Sequence, residues 1–222
     1  MIILKKKIYI RAEIMNYDWE FIKATVKVFQ KEKRYNHTLG VAKEALELGK
    51  IFLPKKADKL YFAGLLHDIT KDFNTEKQLE MCKKFGVSVP SSIAPKLLHS
   101  KTGAHFARDI FSDEYVDNEV FGGIFYHTTG RAKMSPFEII IYLADYIEEG
   151  RTFEDCVYLR EFFYGRINSA KSIDDKLEIL RKTMVLSFDL TIKNLIDENK
   201  QIDGDTISSR NYFLTNTIKL EN

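Results

Sequence analysis

The chain is predicted to be an all-α domain on three observations. From Asn16 onward, apolar residues recur at the three-and-four spacing of one helical face. Breaks in that period fall at proline, glycine and capping residues. The 222 residues, 45% of them hydrophobic, carry no internal repeat, low-complexity tract or interdomain linker, as expected for one domain with a substantial core.

The elements follow in order. Residues 1–14 stand apart, because Ile2, Leu4, Ile8, Ile10 and Ile14 alternate only loosely with Lys and Arg. An edge strand, an extension and sequence upstream of a start at Met15 are all compatible with this. The reading taken is a poorly ordered N-terminal extension, with the domain spanning 15–222. Ile22, Thr25, Val26 and Phe29 mark a first helix. A second runs from Tyr35 to Leu53, with His37, Val41, Ala45 and Leu48 on one stripe, and Pro54 stops it. A third spans Ala57 to Asp68, with Leu60, Gly64 and His67 on one face. Thr75 and Gln78 suit a capping box for a fourth, which Gly86 ends. Pro90 and Pro95 frame a loop. Two helices, Pro95 to Phe111 and Val116 to His127, precede a loop over Thr128 to Lys133. Ser135-Pro136 opens the next helix, with serine as N-cap and proline in the first turn, and it continues through Asp145. Helices near Phe153–Tyr164 and over Ile173–Asn199 follow, and residues after Gly204 form a closing arm.

Bulk properties exclude several classes. With 34 basic and 32 acidic side chains the net charge is +2, so neither a nucleic acid nor an anionic membrane is expected as partner. Cys82 and Cys156 form no CxxC pair and no disulfide framework. Lys5-Lys6-Lys7 follows the first apolar residues, the reverse of a secretory signal. The apolar stretch Ile139–Ile147 is too short to span a bilayer and carries Asp145. A cytoplasmic protein with reduced thiols is expected.

The chemistry lies in six residues: His37, His67, Asp68, His99, His127 and Asp145. Each sits on or at the end of a predicted helix, on a face shared with apolar residues. One histidine on such a face is more often a satisfied core residue. Several inward imidazoles and carboxylates from five helices would cost several kcal/mol each to bury unpartnered, and a metal removes that cost. Ligands converging from separate helices can build a dinuclear site in a bundle core.

The order His37, His67-Asp68, Asp145 resembles the H…HD…D pattern of the HD superfamily of metal-dependent phosphohydrolases, and His99 and His127 match its two-metal subset. Leu97-Leu98-His99-Ser100, Tyr126-His127-Thr128-Thr129-Gly130-Arg131, Ile140 to Glu148 and Gly150-Arg151 are similar to the bacterial HD-domain symmetrical bis(5′-nucleosyl)-tetraphosphatase family. Thr206-Ile207 and Arg210-Asn211 resemble that family's C-terminal arm, so the likeness covers roughly residues 17 to 214. Two departures occur: Ser100 where the family has glycine after Leu-His, and Phe153-Glu154-Asp155 where it has Phe-Pro-Gly.

The resemblance implies a single HD-domain helical bundle with a dinuclear metal site in its core. His37, His67, Asp68 and Asp145 would hold one ion and Asp68, His99 and His127 the other, with Asp68 bridging. Two cations about 3.5–4 Å apart could share a hydroxide of lowered pKa, and that hydroxide would be the nucleophile toward phosphorus. The mixed donor set suits iron, manganese or cobalt better than magnesium, and the resemblance implies iron. Lys71 would point a cation at the scissile phosphate and Asp72 would orient it or a water. Arg131 and Arg151 suit bidentate phosphate contact; for Arg151 a solvated charge is an equal alternative. Thr128 and Thr129 offer hydroxyls to phosphate or ribose, and Lys133 is a further candidate. The implied substrate is diadenosine tetraphosphate, cut centrally into two ADP, with ADP or GDP as product ligand; a homodimer stays open. His105 has no place in the pattern and is read as supporting or structural. Alternatives are another HD phosphohydrolase acting on a nucleotide or alarmone, a non-enzymatic nucleotide sensor, and a structural helical module.

Overall fold

In the computed structural model, residues 17–89 and 95–220 are described. Among them are ten α-helices: α1 (Trp19–Lys27), α2 (Glu32–Phe52), α3 (Ala57–Leu66), α4 (Thr75–Phe85), α5 (Leu98–Tyr115), α6 (Asn118–Tyr126), α7 (Pro136–Ile147), α8 (Glu154–Ile167), α9 (Ile173–Asp197) and α10 (Gly204–Thr215). The all-α expectation is met. The expected extension at 1–14 and most of the loop between Pro90 and Pro95 lie outside the described residues.

Two helices are buried nearly all round and form the centre. In α3, every residue from Phe62 to Leu66 is buried, and in α7 every residue from Phe137 to Ala144 is buried. A helix apolar on all faces belongs inside, which accounts for the Ile139–Ile147 run. No described helix is long and apolar enough to cross a membrane. Helix α2 packs along α3 and also against α7, while α6 packs against α3, α5 and α7. Helices α8, α9 and α10 pack in sequence on the outside of α7.

Local chemistry sets the ends. Ser135 accepts from Glu138 N while the Glu138 carboxylate accepts from Ser135 N, a complete capping box with Pro136 in the first turn. Helix α4 corrects the sequence reading: its N-cap is Asn74, which accepts from Lys77 N, not Thr75. Gln78 does not reach back to the cap. It is buried, donates to Thr70 O at 2.6 Å and accepts from Thr102. The third helix also ends earlier than expected, at Leu66. The chain then winds through tight turns, with Ile69 N donating to Leu66 O, Lys71 N to Asp68 O and Phe73 N to Thr70 O. Helix α5 breaks at Ser112 (φ 71°), beside the expected end at Phe111. The closing arm is a helix, α10, packed on α9.

His105 takes no part in the donor cluster. Its ring stacks on Phe85 at 5.0 Å and meets Phe121 edge-on at 4.9 Å, an aromatic contact between α4, α5 and α6. Cys82 and Cys156 are both buried free thiols.

Candidate metal centre

The six predicted donors come together. His37 arrives from α2, His67 and Asp68 from the turn after α3, His99 from the first turn of α5, His127 from the C-terminus of α6 and Asp145 from α7. Three imidazoles are aimed the same way. His67 Nδ1 meets Gly64 O at 2.7 Å, His99 Nδ1 meets Lys96 O at 2.7 Å and His127 Nδ1 meets Ile124 O at 2.6 Å. Each partner is a carbonyl three residues earlier. A carbonyl only accepts, so each Nδ1 carries the hydrogen and each Nε2 presents a lone pair. His37 differs, because its Nδ1 lies 3.0 Å from Glu148 Oε1. Glu148 also accepts from Gly150 N at 2.6 Å, and a Cβ at Gly40 would collide with its carboxylate.

The lone pairs converge on Asp68. His99 Nε2 and His127 Nε2 lie 3.1 and 3.5 Å from Asp68 Oδ1 and 3.1 Å from each other. His67 Nε2 and His37 Nε2 lie 3.5 and 3.9 Å from Asp68 Oδ2. Asp145 Oδ1 closes that side, 3.0 Å from His37 Nε2 and 3.8 Å from His67 Nε2. Asp68 thus faces two imidazoles with each oxygen. His37 Nε2, His67 Nε2 and Asp68 Oδ1 are buried without a hydrogen-bond partner. Three acceptors in mutual contact, such as His99 Nε2, His127 Nε2 and Asp68 Oδ1, are what a cation satisfies. The donor set fits metal ions, and Asp68 with His99 and His127 is one of the overlapping trios able to hold one.

Electrostatics agree. Burial pushes His99 down to about 4 and lowers His67, so both stay neutral donors. Burial alone would raise Asp68, yet it lies well below the usual carboxylate range, with the Arg34 guanidinium 2.7 Å from its Oδ2. Burial opposes a proton on His37, yet the carboxylates of Asp145 and Glu148, each 3.0 Å from one of its ring nitrogens, raise it to about 9. An incoming cation would displace that proton.

Residues 34–150 match the HD domain family. The chain is 34% identical over 185 residues to the symmetrical bis(5′-nucleosyl)-tetraphosphatase of Staphylococcus aureus, covering 82% of this chain and 87% of that one. It is 31% identical to the protein of the same name from Halalkalibacterium halodurans, over 85% of this chain and 93% of the relative. The chain belongs to the HD-domain symmetrical bis(5′-nucleosyl)-tetraphosphatase family. A crystal structure from Clostridium acetobutylicum, described as a predicted HD superfamily hydrolase involved in NAD metabolism, has the same fold. It superposes with a TM-score of 0.77 at 34% identity, over 90% of this chain and 98% of that one.

In this HD hydrolase Asp68, His99, His127 and Asp145 line a cleft of about 420 Å³. Of the residues expected to touch substrate, Lys71, Thr128 and Arg151 line it. Lys71 Nζ lies 3.2 Å from both ring nitrogens of His99, and burial lowers it from the ordinary lysine value. Thr128 Oγ1 is 3.5 Å from His99 Nε2. Arg151 is paired with Asp145. Four expected residues lie elsewhere. Thr129 is buried and donates to Gly130 O. Arg131 grips both oxygens of Glu138, at 3.1 and 2.9 Å, across the α7 capping box. Arg131 and Lys133 line a separate cavity beside α10. Asp72 accepts from Lys31 N at 2.7 Å and so anchors the start of α2.

The sequence reading gave four residues no part in the centre. Arg34 Nη1 donates to Asp68 Oδ2 at 2.7 Å and lines the cleft; its signal was its place three residues before His37, on the same helical face. Glu148 stands three residues after Asp145, just past the end of α7. Gln30 and Gln78 hold the turn after α3 by donating to Asp68 O and Thr70 O. Each glutamine adds a second hydrogen bond to a carbonyl that already accepts from a turn N–H.

Proposed function

We propose that this chain cleaves a dinucleoside tetraphosphate at its centre, giving two nucleoside diphosphates, with diadenosine tetraphosphate yielding two ADP. The observation that carries the reading is the two-sided use of Asp68, with two imidazoles on each oxygen, at the floor of a cleft rimmed by Arg34, Lys71 and Arg151. The names of the relatives supply the substrate class.

His37, His67, Asp68 and Asp145 would hold one ion, and Asp68, His99 and His127 a second, with iron, manganese or cobalt suited to the mixed donors. When bound, such a pair lowers the pKa of water and neutralises phosphate charge. The protein's own part is positioning. A nucleoside diphosphate departs as a stable anion, so the cleft must gather negative charge, and Arg34, Lys71 and Arg151 supply the cations. Arg34 and Arg151 are paired with Asp68 and Asp145, the carboxylates that metal ions would engage. Both guanidinium groups then become available for bidentate phosphate contact. Thr128 offers a hydroxyl beside them, and Asp72 keeps α2 in register with the turn that carries Asp68.

Chromatography of the products of diadenosine tetraphosphate tests the reading. Two ADP are expected, and ATP with AMP would overturn it. A faster reaction on a mononucleotide or nucleoside triphosphate would favour another HD phosphohydrolase activity. Metal removal gives an independent check. Ligand binding well above its dissociation constant stabilises by about 3 kcal/mol, and for a chain of this size each kcal/mol shifts the midpoint by roughly 2–4 °C. Exhaustive chelation should lower the thermal midpoint by about 6–12 °C, and added manganese or iron should restore it. An unchanged midpoint would point to a purely structural helical module.

A further inference from the structure

The residues that line the cleft fall into two groups of opposite character. One is Arg34, Lys71, His99 and Thr128, in which Lys71 and Thr128 both meet His99. The other is Tyr142 and Tyr146 of α7, Phe153 and Asp155 at the start of α8, and Asn194 of α9, in which Asp155 joins Tyr146 and Asn194. We propose that this second group forms the nucleoside end of the cleft, with the Phe153 ring as the platform on which the base stacks and Asn194 as the group that reads its edge. The inference rests on the tetraphosphatase reading and deepens it.

Phe153 is the first argument. It occupies the N-cap of α8 and makes no side-chain cap bond. Helices favour Ser, Thr, Asp or Asn there, because a side-chain oxygen can accept from the open N–H groups. The residue is also 67% exposed. Phe153 therefore serves neither the helix nor the core, and it lies on the cleft wall. An exposed aromatic face beside a polyphosphate site is suited to stacking a base.

The polar groups form a prearranged set. Asp155 Oδ2 accepts from Tyr146 Oη at 2.9 Å and from Asn194 Nδ2 at 3.0 Å, while its Oδ1 accepts from Cys156 N at 2.9 Å. These bonds tie α7, α8 and α9 together at the wall. Asn194 gives one amide hydrogen to Asp155, which leaves its second hydrogen and its carbonyl oxygen. That donor–acceptor pair matches the N6 and N7 edge of adenine. The Asp155 charge also sorts the substrate. It repels phosphates from this end and so directs them toward Arg34 and Lys71.

Calorimetric titration of the metal-loaded protein with ADP, and with base-free tripolyphosphate, tests the assignment. Phe153→Ala should weaken ADP by about tenfold, a usual effect of losing one base-stacking ring, and leave tripolyphosphate unchanged. Phe153→Tyr, which keeps the ring, should bind ADP as the wild type does. Asn194→Leu, which keeps the bulk, should weaken ADP alone. Unaltered ADP affinity in both disruptive variants would overturn the subsite, as would equal losses for the two ligands or a wild type that fails to bind ADP. Product analysis of the dinucleotide judges the tetraphosphatase reading separately, because these titrations need no turnover.

Discussion

Asp68→Ala should cut hydrolysis of diadenosine tetraphosphate by at least about a thousandfold and strip the protein of metal, while the helical fold persists. Loss of a group that only supports a ligand already costs 10–100-fold in metal affinity or activity, and Asp68 faces every imidazole of the centre. Its Oδ1 lies against His99 and His127, and its Oδ2 against His37 and His67. Alanine removes both contacts at once, so neither half keeps its shared oxygen. The fold should tolerate the change, because His67 and His99 are held neutral by burial and Arg34 keeps 29% of its side chain exposed. Elemental analysis, circular dichroism and ADP release measure the three parts. Activity within tenfold of wild type in a folded Asp68→Ala protein would remove the centre from the mechanism.

Gly64→Ala should destabilise the fold by about 2–3 kcal/mol, the upper part of the usual cost of forcing a methyl group into a packed core. A Cβ at Gly64 would stand 2.7 Å from Ala42 Cα, 3.1 Å from Ala42 N and 3.3 Å from the Val41 carbonyl carbon. All three are main-chain atoms, so no rotamer change relieves the clash, and α3 must move off α2. For a chain of this length the thermal midpoint should fall by about 5–10 °C. Helix α2 carries Arg34 and His37, and α3 leads into His67 and Asp68. Metal affinity should therefore drop with stability. Gly86 provides the control. Its φ is +67° but nothing lies within 4 Å of a Cβ there, so alanine should cost only about 1 kcal/mol of local strain and leave metal binding alone. Equal midpoints for Gly64→Ala and wild type would refute the tight α2–α3 contact.

The donors were legible because histidine and aspartate are out of place on apolar helical faces, and the helices because caps and prolines stand at their ends. Legibility stopped where a residue's partner is distant in sequence. In Tyr126 to Arg131, residue type alone does not separate His127 and Thr128, which face the cleft, from Thr129 and Arg131, which hold the loop against its own backbone and Glu138. Gly130 is likewise structural, since its φ of +65° and the approach of Ser209 and Phe188 leave no room for a side chain. Asn74 and Thr75 both suit a cap. The choice fell to Asn74 while Gln78 was drawn inward to the turn after α3. Asp72 and Arg151 carry ordinary charges whose partners, Lys31 N and Asp145, only the folded chain reveals.

Imidazoles anchored to the carbonyl three residues upstream have a consequence for how such a centre ages. A main-chain oxygen is present whatever residue bears it, so the orientation of His67, His99 and His127 is insulated from sequence drift around them. His37 has no such insurance, because its aim depends on one carboxylate, Glu148, and on the missing side chain at Gly40 that lets that carboxylate in. Divergence among descendants of this scaffold is thus channelled toward one corner of the centre, where a single exchange can retune one cation position while its neighbour is inherited intact.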